Sequence, residues 1–384
     1  MLRKSYIDQS WILALALLFV AGSGLAGTFG TVIPIGGEAS DLALDESRGV
    51  LYVANFTGST IDVISMTTNK IQNTIPVPNQ PSSISVSPDD HWLIIAHYGN
   101  NAAPASQTNM ISLLDLTNNY ARQTFTLSDV PLGVAFGLDD NALIVTASSF
   151  QLFNPTTGQI QLLQSIAEVA TNAIPQPLAS FPPNITQATM ATSRDGLTIA
   201  GFGGGSPFLV WRYSVATKTI SAGFQTASPP GGPRVVSLAD DGSLMTIAWW
   251  ISDANFNDLG EFLSPSGALN LGSHVIDSSR NLVYAQVPTS AAGASSGSST
   301  STGTPVLQIL SSNNLTVLEQ VRLPENLAGR SLLTNDYNTV YSISTSGVTV
   351  LPVGSLNKYA RLSASVEDID FRGNFCNRTS SPRP

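Results

Sequence analysis

Cysteine is nearly missing from this chain: Cys376 is the single one in 384 residues. That excludes an intrachain disulfide and any thiolate metal cluster, so stability must come from the core alone. Histidine is almost as scarce, with His91, His97 and His274 only, at none of the close spacings that a histidine metal site requires. Charge is low too: Asp, Glu, Lys and Arg make up 11% of the residues, against about a quarter in ordinary soluble proteins. Hydroxyls and amides must therefore keep the surface wet, which suits a protein outside the cytoplasm. The charge present sums to -9, a field that repels phosphate backbones and anionic headgroups, so nucleic acid is not an expected partner.

Apolar runs long enough to span a membrane are also missing. The longest, Trp11 to Gly22, is too short for a spanning helix. Arg3 and Lys4 precede it and the small residues Gly24 and Ala26 follow, the order of a cleavable secretory signal. Residues 1–27 are expected to be that signal. The mature protein is then secreted, periplasmic or on the cell surface, with no stable membrane insertion after cleavage.

What is abundant is alternation. In "DLALDESRGVLYVANFTGSTIDVISMTTNKIQNTIPV", Asp41 to Val77, four β-branched, period-two runs are separated by turn formers, and this reads as four strands. Comparable turns recur near Asp45, Asp89, Asp139, Asp195, Asp241, Ser279 and Asp336, a spacing of roughly 40 to 55 residues that marks propeller blades. A single four-stranded sheet cannot bury both faces, whereas sheets arranged around an axis cover one another. The aspartates are read as turn residues, whose carboxylates bond the backbone just ahead of them.

The fold expected is all-β: a seven-bladed β-propeller of four-stranded antiparallel blades over residues 28–356. The last unit supplies only three strands, "SLLTN", "TVYSIST" and "GVTVLPV". Its missing fourth matches "GTVIPIGG" near the N-terminus, so pairing of about residues 30–36 with the last blade is expected to close the ring and remove two sheet edges. Residues 357–384 read as a tail or linker towards a further domain.

"LYVAN", "STIDVIS" and "NKIQNTIPV", following an Asp-containing turn, resemble the YVTN family of β-propeller repeats found in secreted and surface proteins of prokaryotes. Ala54 stands where the family name has Thr. The resemblance is strong over residues 30–90 and only architectural beyond, and it implies an extracytoplasmic WD40-like ring without implying a reaction.

Candidate binding residues come from blade geometry. If the first turn of each blade lies on one face, the loops between second and third strands and the connections into first strands gather on the other. The former bring Asn55 and Phe56, His97 and Tyr98, Phe202, and Trp249 and Trp250; the latter bring Glu38, Arg234, His274 and Arg330. Aromatic rings with Arg and His at one mouth make a plausible patch for a protein, a glycan or a small ligand. Against this, adjacent Trp249 and Trp250 would face opposite ways in a strand, and at least one should be core. The Gly201 to Pro207 string "GFGGGSP" joins strand to strand, so no helix N-terminus is there to take a phosphate. No catalytic residue, metal or cofactor is assigned. The first reading is a noncatalytic interaction module. The alternative is a lactonase-like hydrolase, with Glu38 as base and Arg234, His274 and Arg330 as oxyanion and substrate groups. Two long excursions, residues 167–186 and the Ser/Gly-rich 288–304, read as surface decoration.

Overall fold

The computed structural model describes residues 27–97, 109–173, 185–203, 208–225, 235–262, 271–288 and 304–358. The expected signal and tail, with Tyr98 and Arg234, lie outside them, apart from the residues at the very edges.

Seven four-stranded antiparallel sheets form, and six are simple meanders of consecutive strands. Their innermost strands are Ala39–Asp45, Pro81–Val86, Pro131–Phe136, Ala188–Thr192, Val236–Leu238, Ser273–Asp277 and Leu327–Leu333. Each inner strand neighbours the next, and the seventh neighbours the first, so the sheets form a closed circle around a channel. In the seventh sheet the fourth strand is Thr31–Pro34 from the N-terminus. It pairs antiparallel with Gly347–Leu351 in the register Thr31 to Val350, Val32 to Thr349, Ile33 to Val348 and Pro34 to Gly347. The ring is thus clasped by both ends of the propeller, as the missing strand of the last unit required.

Burial follows position in the blade. The second strand of the first blade, Val50–Asn55, is buried at all six residues, whereas the outer strand Lys70–Pro76 buries Ile75 alone. Middle strands pack on blades at both sides and outer strands meet water, so the alternation legible in sequence is strongest only where one face is wet. The apolar core is divided into seven clusters, one per junction between blades. The fullest, between blades three and four, includes Phe150 and Trp211 together with Ile166, Val169 and Ala170 of the short helix Ile166–Thr171. Ser165 caps that helix: its hydroxyl accepts from the Glu168 N–H while the Glu168 carboxylate accepts from the Ser165 N–H, a capping box.

Around the channel, side chains tie neighbouring inner strands in place of a backbone ladder. Ser83 Oγ accepts from the Val134 N–H, Ser85 Oγ accepts from the Phe136 N–H, and Thr192 donates to the Phe136 carbonyl. Ser237 donates to the His274 carbonyl, and Ser273 to that of Gly329. The hydroxyl-rich, charge-poor composition therefore serves the interior as well as the surface, since each pairing satisfies a backbone group that is buried or partly buried.

The first turns behave as the sequence indicated. Asp45 Oδ1 accepts from the Arg48 N–H at 3.0 Å and Asp277 Oδ1 from the Arg280 N–H at 3.1 Å. In both blades the arginine folds back onto the same carboxylate and a buried tyrosine, Tyr52 or Tyr284, donates to it. The glycine string also has a packing role: a Cβ on Gly201 would lie 2.5 Å from the Thr189 carbonyl oxygen and 2.7 Å from the Trp211 ring. One local reading needs correction. "MTIAWWISD" is a hairpin, not one strand, because Ala248 takes φ 48° and pairs Ile247 with Trp250. Trp249 and Trp250 are both buried.

Candidate functional site

Among the described residues, those singled out from sequence do not meet in one pocket. Glu38 is exposed, and its carbonyl accepts from the N–H of Phe56, which is buried. His97 is fully buried, with Nε2 2.7 Å from Ser112 Oγ and Nδ1 3.3 Å from the Asn79 carbonyl oxygen. Burial lowers its pKa to about 4. Trp249 and His274 do come together, with ring centroids 6.3 Å apart, but inside the junction between blades five and six, where Phe262 stacks on the imidazole. His274 Nδ1 lies 2.8 Å from Ser237 Oγ, and burial lowers its pKa to about 3. Neutral, enclosed imidazoles of this kind hold packing and hydrogen bonds rather than meet a substrate.

Among the described residues of the set, Arg330 alone lines the channel cavity. Its Nη1 donates to Asp41 Oδ1 at 3.0 Å. Asp41, unnoticed in the sequence, is a junction: Oδ1 also accepts from the Leu42 N–H and Oδ2 from the Ile84 N–H at 2.8 Å. One carboxylate thus connects blades seven, one and two at the inner edge of the ring. Glu38, His274 and Arg330 occupy three separate environments, so the hydrolytic constellation is not assembled among the described residues. Gly293 to Gly297 in the Ser/Gly-rich tract has the letter spacing G-x-S-x-G, but it lies outside the described residues.

The cavity lies towards the face of the first turns, opposite to the mouth favoured from sequence. It has two overlapping lobes of about 470 and 390 Å³ that share Leu44, Asp90, Arg194, Arg330, Leu332 and Asn335 among their walls. Leu44, Leu332, Val236 and Ile276 make the wall apolar at depth, and Glu46, Asp90, Asp240 and Asn335 make the rim polar. Arg194, from the first turn of blade four, reaches across the rim. Its Nε bonds Asp240 Oδ1 of blade five at 3.0 Å, Nη1 bonds Asn335 Oδ1 of blade seven, and its guanidinium lies 4.4 Å from the centre of the Tyr337 ring. The Tyr337 hydroxyl donates in turn to Asp240 Oδ2, which raises the tyrosine pKa. Glu46 Oε1 accepts from the Asn335 N–H, and burial is the main cause that raises the Glu46 pKa. Among the described residues no group of His, Cys, Asp or Glu is arranged to hold a metal ion.

The two faces of the ring differ in construction. First turns vary only from the four residues between Asp45 and Val50 to the six between Leu333 and Val340. On the opposite face, second-to-third connections run from the two residues between Ile247 and Trp250 to the nineteen between Gln286 and Val306. Connections between blades on that face reach the twenty-two residues between Ser165 and Ala188. Variation in length is thus confined to one face.

No protein-family model matches the chain, and no curated protein sequence does. Solved structures match by shape. The Kuenenia stuttgartiensis hydrazine synthase superposes with a TM-score of 0.56 at 12% identity, over 86% of this chain and 99% of that one. The Myceliophteria thermophila Cps50 (Swd1) beta-propeller domain superposes with a TM-score of 0.55 at 12% identity, over 85% and 99%. At that identity the likeness is one of fold: a seven-bladed, WD40-like propeller, an architecture compatible with an interaction module.

Proposed function

We propose that the chain is a YVTN-type, extracytoplasmic propeller that acts as a noncatalytic interaction module. A protein or glycan partner engages the face that carries the long connections. The observation that carries this reading is the contrast between the faces. Turns of four to six residues hold the ring on one side, while on the other the same strands support connections from two to twenty-two residues long. A rigid scaffold with length variation confined to one face is how folds build recognition surfaces, because loops can vary without disturbing the core. The secretory pattern ahead of Gly27 and the hydroxyl-rich surface support a place outside the cytoplasm.

The test uses the secreted chain against an array of surface glycans and extracytoplasmic proteins. A ligand found there should lose at least about tenfold in affinity, 1.4 kcal/mol, when residues 98–108 or 289–303 are replaced by a short Gly-Ser turn, with unfolding unchanged. A ligand indifferent to both replacements would remove the long-loop face from the proposal. Turnover in a parallel lactone and ester screen would remove the noncatalytic reading.

A further inference from the structure

The channel on the short-turn side presents two kinds of charge at two depths. At the inner end stands Arg330, midway along the seventh inner strand and three residues before its end at Leu333. Its side chain is 18% accessible and its Nη1 is held by Asp41, while its buried Nε has no partner. At the outer end stand the carboxylates of Glu46 and Asp90, lining the same lobe as Arg330. Neither forms a close ion pair among the described residues: Arg194 attracts Glu46 and Arg48 attracts Asp90 only through space, and Arg194 bonds Asp240 and Asn335 instead. Leu44 and Leu332 line both lobes between the two ends. Three residues of strand correspond to about 10 Å, which sets the separation of the levels from which the opposed groups project.

We propose that this chamber binds a small zwitterion, an ω-amino acid with an apolar chain, its carboxylate on Arg330 and its ammonium between Glu46 and Asp90. The guanidinium offers forked donors to a carboxylate and is already oriented by Asp41, so little side-chain freedom is lost on binding. The rim carboxylates supply attraction for a cation where burial has removed part of their hydration, which is also what raises the Glu46 pKa. A simple anion would meet Arg330 but pass two carboxylates. A simple cation would be held at the rim and leave the inner guanidinium unused. Only a ligand charged at both ends answers both, and an apolar middle matches the leucine wall. About 470 Å³ is ample for six carbons and two polar heads. This site lies on the opposite face from the proposed partner surface and does not depend on it.

The experiment is calorimetry of the full mature chain with three probes: 6-aminohexanoate, hexanoate and hexylammonium. The expected result is a dissociation constant for 6-aminohexanoate at least about tenfold below those of the other two, with thermal unfolding raised by that probe alone. Arg330→Gln should abolish the preference. Because that substitution also frees Asp41, a second variant, Leu332→Trp, fills the chamber without altering charge and should abolish binding in a folded protein. The proposal is overturned if hexanoate or hexylammonium binds as tightly as the zwitterion, or if 6-aminohexanoate binding survives Leu332→Trp. It is equally overturned if none of the three binds at millimolar concentration.

Discussion

Replacing Asp41 by alanine should loosen the whole ring, although the residue belongs to no motif. The carboxylate accepts three hydrogen bonds: from the Leu42 N–H at 2.9 Å, the Ile84 N–H at 2.8 Å and Arg330 Nη1 at 3.0 Å. Its side chain is 8% accessible and that of Arg330 18%, so water replaces little of what is removed. Breaking a buried ion pair from one side costs about 3–5 kcal/mol, and each stranded backbone donor adds about 1 kcal/mol or more. An expected loss of about 5–7 kcal/mol follows, a large fraction of the roughly 5–15 kcal/mol of a typical domain. Arg330→Met should cost less, about 1–2 kcal/mol, because Asp41 keeps two backbone donors. The double variant no longer buries an unpaired guanidinium, so the two single costs should exceed the double by about 1.5–3 kcal/mol. Equilibrium urea unfolding of the three variants measures this. A cost below about 1 kcal/mol for Asp41→Ala, or strict additivity of the pair, would refute the claim that one carboxylate couples three blades.

Two further outcomes follow from the interior. His97 and His274 stay neutral when folded, with pKa values lowered to about 4 and about 3, while the unfolded chain protonates both near 6.5. The unfolded state therefore binds more protons below pH 6.5, and stability falls with acidification through pH 6 to 5. The limiting slope is about 2.7 kcal/mol per pH unit for the two sites. Urea unfolding across that range should show it, and an unaltered slope in His97→Gln/His274→Gln would contradict it. Gly201→Ala should cost about 1–3 kcal/mol, since the new methyl meets the Thr189 carbonyl and Trp211. Unchanged unfolding of that variant would remove the packing role of the glycine.

The ring was legible because its rules are local. Asp-containing turns, β-branched runs and the leftover strand "TVIP" each state part of the circle in a few adjacent letters, and the clasp register at Thr31 and Val350 agrees with them. The site was harder to read, for a physical reason. Arg194 sits in "TSRDG", where the turn pattern accounts for Asp195 and Gly196 but not for a side chain that crosses the channel to another blade. Asp41 and the hydroxyls Ser83, Ser85 and Ser237 act between inner strands of consecutive blades, at separations no short window spans. Their signal was available only by aligning inner strands and asking why polar residues recur where a core strand should be apolar. The hairpin at Ala248 was hidden because a non-glycine residue adopts positive φ there, contrary to the usual turn signature. His97 and His274 were placed at the mouth from sequence, whereas both are buried, because their depth depends on neighbouring blades rather than on their own strands.

The clasp is tested most directly by a cysteine pair, Val32→Cys with Thr349→Cys, in a Cys376→Ser background. These positions face each other across the two antiparallel strands, within the separation a disulfide spans. On mild oxidation the account predicts an intramolecular bond that changes gel mobility reversibly with reductant and raises resistance to unfolding. A chain that stays reduced, or links only to other chains, would contradict the closed ring.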